Sequence, residues 1–288
     1  MKTYVQQIML GTVTGKPEQA LATLQRIKAA GYDGLELNRF MIHPSSLMVR
    51  MMTRVAGMPT GKGGSLDWHG LLKETGLGVV SLHADLGTLK REPQTVIQEA
   101  QSFGTNTVVI TGMYRFDYQD AETVRGLAAD LNAAGARLRQ DGVSLLYHNH
   151  NVEWLRTNEG SRAIDILLQE TDPALVGFEF DSYWCTDGGA DAAQWMQRLG
   201  SRMKLWHVTD RGFRQNGPSM TPILKADSVE LGTGNMDLEQ LWQIASDNGV
   251  TSVILESHKN WIHKDPVESL ELSSKWLHKI DASRPDML

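Results

Sequence analysis

The sequence predicts an α/β protein folded as a single-domain (β/α)8 TIM barrel spanning residues 1–288. Three observations carry that expectation. Short runs rich in Val, Ile and Leu alternate with longer segments of helical spacing. Eight such pairs fill the chain with no linker or break in composition. A glycine recurs between the end of a helical segment and the next apolar run. Parallel strands joined by helices produce this alternation. A doubly wound sheet would share it but usually carries a Gly-rich phosphate loop after its first strand. The first run here leads into MLGTVTG, which is not G-x-G-x-x-G.

In chain order the runs are YVQQIML, DGLELN, GVVSLHA, NTVVITG, VSLLYHNH, LVGFEFD, MKLWHVTD and VTSVILES. Each is short, and most are apolar enough for a strand covered on both sides. The segments between them read as amphipathic helices. Residues 17–30 space Leu21, Leu24 and Ile27 along one face, and 120–141 do so with Val124, Leu127, Leu131 and Leu138. Residues 237–248 carry Leu238, Leu241 and Ile244, and the last helix carries Leu270, Trp276 and Leu277. In AAGYDG, KETGLG, RQDGVS and SDNGVT a glycine stands where a left-handed residue closes a helix. The connection 209–236 is too long for a bare turn and reads as a lid or substrate loop.

Composition narrows the function. The net charge is −6 without a basic stripe, which argues against nucleic acid as a partner. Cys185 is the only cysteine, so no disulfide closes within the chain, and a reducing cytoplasmic location is expected. The opening MKTYVQQIMLGTVTG is too short in apolar residues and too polar for a secretory leader. No stretch approaches the roughly 18 apolar residues of a membrane span.

In such barrels chemistry sits where strands give way to the following loops. The second run ends in Glu36, the third in His83 and the fifth in His148 and His150. The sixth ends in Asp181, the seventh in His207 and Asp210, and the eighth in Glu256 and His258. Taken singly, each residue has an ordinary reading. A strand-end His hydrogen-bonds its surroundings, an Asp caps a helix, and a Glu pairs with a Lys. Taken together, four successive runs end in His148, Asp181, His207 and Glu256. Buried ionisable groups are costly unless paired or metal-bound, and one divalent cation would account for all four. Two imidazoles and two carboxylates suit Mn, Co, Fe or Zn better than Ca.

At these residues the sequence resembles the xylose isomerase-like TIM barrel superfamily. That superfamily holds sugar isomerases, sugar epimerases, inosose dehydratases and the endonuclease IV branch. Within it, the chain looks like the sugar phosphate isomerase/epimerase group with a YHNH fifth strand. The matching stretches are GYDGLEL, TGLGVVSLHADL, YHNHNVEW, FEFDSYWCTDGGAD, LWHVTDR, ELGTGNMDLEQL and VILES. The resemblance implies one divalent metal, Mn foremost with Co, Fe, Zn or Mg as alternatives. Asp181, His207 and Glu256 would be the ligands from the sixth, seventh and eighth strands. Many members use a Glu in an E-N-H-like run on the fifth strand. Here H-N-H makes His148 the ligand and His150 its neighbour. Relatives often show H-x-K-D after the seventh strand, whereas this chain has HVTD with Thr209 in place of the Lys.

The implied reaction is isomerisation or epimerisation of a small sugar or keto-sugar. A metal polarises the carbonyl, and a side chain removes the adjacent proton to give an enediolate. Glu256, Glu153 and His150 are the candidate catalytic residues. Glu36, His83, Trp184, Asp210, Arg211 and Arg214 are the candidate substrate contacts. Trp206 is expected to pack outward, Trp154 to pack or stack, and Glu179 to stand behind the ligands because it shares strand parity with Asp181. Gly232 and Gly234 are expected to shape the loop after the seventh strand. Two-glutamate members place metal-bound carboxylates on opposite faces of the sugar. With His148 in one place, a dehydratase or lyase on the same scaffold is the alternative. A non-catalytic sugar-binding barrel is a further one. No membrane partner is expected, and a homo-oligomer is compatible with the sequence.

Overall fold

In the computed structural model, which describes residues 1–44, 51, 63–215, 217–218 and 220–282, the apolar runs become strands. They are β1 (Lys2–Gln6), β2 (Gly34–Asn38), β3 (Gly78–Ala84), β4 (Thr107–Ile110) and β5 (Ser144–His148). They continue as β6 (Val176–Asp181), β7 (Met203–Val208), β8 (Asp210–Gly212), β9 (Asp227–Val229) and β10 (Ser252–Leu255). Eight of them close a barrel in the order β1–β10–β7–β6–β5–β4–β3–β2, and helices surround it. The eighth barrel strand is therefore β10. The other two, β8 and β9, form an antiparallel pair inside the long 209–236 connection.

Contacts group the chain into two compact units. In the unit of 79–207 with 244–251, β4 pairs with β5 and β5 with β6, all parallel. The register sets His148 opposite Glu179 and Asp181 opposite His207. The helix Ala121–Arg139 buries Val124, Leu127, Leu131 and Leu138, the stripe read from its spacing. Asp120 starts it by accepting from the Thr123 N–H at 3.1 Å, as an N-cap does. Gly142 follows at φ 72°, a conformation costly for residues with a Cβ.

In the unit of 1–78, 208–243 and 252–288, β1 pairs in parallel with both β10 and β2, setting Val5 opposite Leu255 and Gln6 opposite Glu36. The helix Pro17–Ala29 buries Leu24 and Ile27, while Leu21 is half-buried. The helix Pro266–Ala282 buries Leu270 and Leu277. Trp276 is half-buried instead and packs edge-on to Trp242 at 6.2 Å.

Several strands stop before their runs do, and two of these ends show why. YVQQIML stops as a strand at Gln6, and Gln7–Leu10 forms a 3-10 turn. The Gln6 Oε1 accepts from Ile8 N at 2.6 Å and from Asn38 Nδ2 at 2.7 Å, which bends the chain. VSLLYHNH stops as a strand at His148. There the Asn149 side chain continues the pairing to β6, accepting from Asp181 N and donating to Asp181 O, both at 3.0 Å. No helix among the described residues is long and apolar enough to cross a membrane.

Asn149 is fully buried, and both of its bonds serve the backbone of Asp181. Asn149→Ala leaves that N–H and C=O unpaired, a loss of about 1–3 kcal/mol. Urea denaturation of the two proteins should show the fall in midpoint, and an unchanged midpoint would refute this role.

Candidate metal centre and active site

The ends of β3, β5, β6 and β7 bring three imidazoles around one carboxylate. Glu179 Oε2 lies 2.9 Å from His83 Nε2, 3.1 Å from His148 Nδ1 and 3.2 Å from His207 Nε2. Glu179 and His207 are completely buried, and His148 and His83 nearly so. Burial opposes the charge on Glu179. The nearby His207 and His83 imidazoles, with hydrogen bonds from His148 and His207, outweigh it and hold the carboxyl well below its usual range. The other oxygen, Oε1, is buried without a hydrogen-bond partner.

Asp181 stands two residues further along β6. Its Oδ1 accepts from Trp184 N at 2.7 Å and so caps the helix Ser182–Asp187. Its Oδ2 lies 3.9 Å from His207 Nδ1. The His148 and His207 rings are 4.6 Å apart, edge to face. One donor atom from each of His148, Asp181, His207 and Glu256 falls within 4.8 Å of the others. Nitrogen and oxygen donors sit roughly 2.0–2.2 Å from a cation such as Zn, so these four fit one ion after small side-chain adjustments. Glu36, His83, Glu179 and His207 form a second such grouping. Glu256 Oε1 pairs with His258 Nε2 at 3.0 Å. The chemistry of the donors fits a divalent transition metal: mixed imidazole and carboxylate, nearly all buried.

Although β5 ends before it, His150 lies beside His148, with ring centroids 4.9 Å apart, and 5.8 Å from the Trp184 ring. Its Nδ1 is 3.3 Å from Thr111 Oγ1. Glu153 departs from the sequence reading. The sequence offers it as a candidate catalytic residue. Instead it sits in the 3-10 turn Val152–Trp154, fully buried. Its carboxylate accepts from Tyr147 Oη at 2.7 Å and from His150 N at 2.8 Å, and Tyr118 Oη lies 3.2 Å from Tyr147 Oη. Burial raises its pKa to about 7.

Other candidates divide by their partners. Glu36 is buried in the middle of β2 rather than at its end, His83 is buried next to the end of β3, and Trp184 is half-buried after β6. Arg211 is half-buried in β8. Asp210 is occupied otherwise. It accepts from the N–H groups of Arg211 (2.8 Å), Met236 (3.2 Å), Gly232 (3.0 Å) and Gly234 (2.8 Å). A Cβ at Gly234 would stand 2.3 Å from Asp210 Oδ1. Asp210 therefore builds the ELGTGN loop, a role that leaves its carboxylate no open side for substrate. Arg214 donates to Glu230 at 2.5 Å and to the Asn260 carbonyl at 3.0 Å, which ties it into its own loop. Thr209 bonds the Val208 carbonyl at 2.9 Å. Trp206 is buried and donates to Ser182 Oγ at 3.0 Å, and Trp154 packs edge-on to Trp195 at 5.8 Å, so both are packing residues. Tyr118, Tyr147 and Asn149 were missed. Tyr147 and Asn149 flank His148 in the YHNH run, whereas no sequence signal marks Tyr118.

The raised Glu153 gives a pH prediction. Its folded value of about 7 exceeds the ordinary 4.5, so its contribution to stability is complete below pH 4.5 and is lost as pH rises toward 7. Glu153→Gln cannot titrate. From pH 5 to pH 7.5 the wild-type denaturation midpoint should therefore fall relative to that of the variant. A constant difference, or a wild type that gains on the variant, would contradict the buried acid.

The sequence model of the xylose isomerase-like TIM barrel matches residues 24–280. An inosose dehydratase of Clostridium perfringens is 26% identical over 179 residues, which are 59% of this chain and 58% of that protein. The match thus spans less than two thirds of that relative. A sugar phosphate isomerase/epimerase from Parabacteroides distasonis superposes with a TM-score of 0.76 at 20% identity, over 96% of this chain and 93% of that one. The IolI protein with a bound zinc atom superposes with a TM-score of 0.67 at 14% identity, over the whole of both chains. Such distant structural likenesses establish a common fold. With the sequence model covering most of its length, the chain belongs to the xylose isomerase-like TIM barrel family.

Proposed function

We propose that this protein is a divalent-metal-dependent isomerase or epimerase of a small sugar or keto-sugar, acting by removal of the proton beside a carbonyl. The observation that carries the reading is the convergence of His148, Asp181, His207 and Glu256, with donor atoms within 4.8 Å. Manganese is the leading candidate for the ion, with Co, Fe, Zn or Mg as alternatives. When bound, the cation supplies positive charge that polarises the carbonyl oxygen.

The chain's own side chains do the remaining work. His150, beside His148 and Trp184, is one group able to take or return a proton. Glu256 with its partner His258 is the other. Glu153 acts through its bond to His150 N, holding the end of β5 in place rather than meeting substrate. Trp184 offers an aromatic face to the C–H side of a sugar. Glu36, His83 and Arg211 provide polar contacts.

Elimination is a second reading, favoured by a specific observation. The carboxylate that next follows β5 in the chain, Glu153, is sealed behind Tyr147, and an imidazole stands at 148. A matched pair of carboxylate bases is therefore lacking, whereas loss of a β-leaving group needs one base and one proton donor. The likeness to inosose dehydratases points the same way.

Incubating the Mn-loaded protein with ketoses and 3-keto-glycosides in D2O tests both. Isomerisation or epimerisation should place solvent deuterium on the carbon next to the carbonyl, with no loss of a substrate fragment. A product lighter by water or an alcohol selects elimination. Transfer of deuterium from labelled substrate to the neighbouring carbon would reject proton abstraction altogether.

A further inference from the structure

The Glu179 carboxylate is buried, bonded to three imidazoles through one oxygen, and unbonded at the other. A residue that merely filled space would not need a charge there. Each imidazole nitrogen that faces Oε2 must carry its hydrogen to donate it. A neutral imidazole has one N–H, so its other nitrogen is left with a lone pair. For His148 the bond runs through Nδ1, and for His207 through Nε2.

We propose that Glu179 is the positioning residue of the metal centre, fixing His148 to offer Nε2 and His207 to offer Nδ1 to a cation. The inference rests on the metal-dependent reading above. The His207 assignment agrees with its Nδ1 being the nitrogen near Asp181 Oδ2, at 3.9 Å. The two histidines thus bind through different ring nitrogens because a single acceptor lies behind both. Glu179 also sets a negative charge directly behind the ligands, adding to those of Asp181 and Glu256. Outer partners of this kind orient a ligand ring and raise its basicity. His83 donates to the same oxygen through Nε2, so its ring is held in register with the other two.

The grouping of Glu36, His83, Glu179 and His207 offers the competing arrangement, in which Glu179 itself is a ligand. Zinc titration of the full-length protein by calorimetry, with 15N spectra of its histidine rings, separates the two. Wild type should bind one zinc. Its spectra should show His148 with a proton on Nδ1 and zinc on Nε2, and His207 with the reverse. Glu179→Gln should still bind one zinc, with affinity lower by about ten- to a hundred-fold, and His148 and His207 should lose their fixed tautomers. Zinc binding by wild type through the nitrogens that face Glu179 would overturn the proposal and leave the metal reading standing. So would loss of all binding in a folded Glu179→Gln, or unchanged affinity and spectra. Absence of zinc binding by wild type would overturn both. If Glu179→Gln does not fold, the wild-type ring spectra decide the matter alone.

Discussion

One buried carboxylate constrains the rest of this molecule. Glu179 accepts from His83, His148 and His207 at 2.9 to 3.2 Å, with no exposure to solvent. Removing an ion from water costs several kcal/mol unless its partners replace the lost hydration. Here they do so only if β3, β5, β6 and β7 end at the right height. The barrel register supplies that height: His148 opposite Glu179, and Asp181 opposite His207. Asn149 then fastens the end of β5 to the backbone of Asp181. The fold and the site are one arrangement here, since a slip of one residue between β5 and β6 would turn His148 away from its acceptor.

Much of this was legible in the sequence because the barrel makes position along a strand predict position in space. Each run became a barrel strand, and donor atoms of His148, Asp181, His207 and Glu256 fall within 4.8 Å of one another. Even the same-side relation of His148 and His150 holds, although β5 stops between them. Strand parity also marked Glu179 as standing behind the ligands. What stayed illegible depends on partners distant in sequence or on side chains that bond the backbone. Gln6 ends β1 through Ile8 and Asn38. Tyr147 seals Glu153 inside, with Tyr118 bonded behind it. Asp210 looks like a site residue at a strand end, yet four backbone N–H groups claim it. Alternation and composition carry no trace of such bonds.

The electrostatics of the centre bear on the chemistry. The His148 imidazole bonds Glu179 through Nδ1, so a negative charge stands directly behind its ring. Glu153, next along the chain, is pushed the other way: burial raises it to about 7, and its hydroxyl and backbone partners only partly offset this. One carboxylate, on β6, is thus stabilised as an anion by imidazoles, and another, in the turn after the neighbouring β5, is destabilised by enclosure. In the proposed reaction, proton transfer falls to His150 and the Glu256–His258 pair. Under that proposal, the choice between returning a proton and expelling a leaving group would fall to the substrate's own geometry against Trp184, His83 and Glu36.

The central claim is that a single divalent cation is held by His148, Asp181, His207 and Glu256, with Glu179 outside its coordination sphere. Anomalous diffraction from crystals of the zinc-loaded protein, recorded on both sides of the zinc edge, tests it most directly. The account predicts one peak at roughly 2.0–2.2 Å from His148 Nε2, His207 Nδ1 and an oxygen of each of Asp181 and Glu256. A peak bonded to Glu179, a fully occupied site elsewhere, or no peak at all would contradict it.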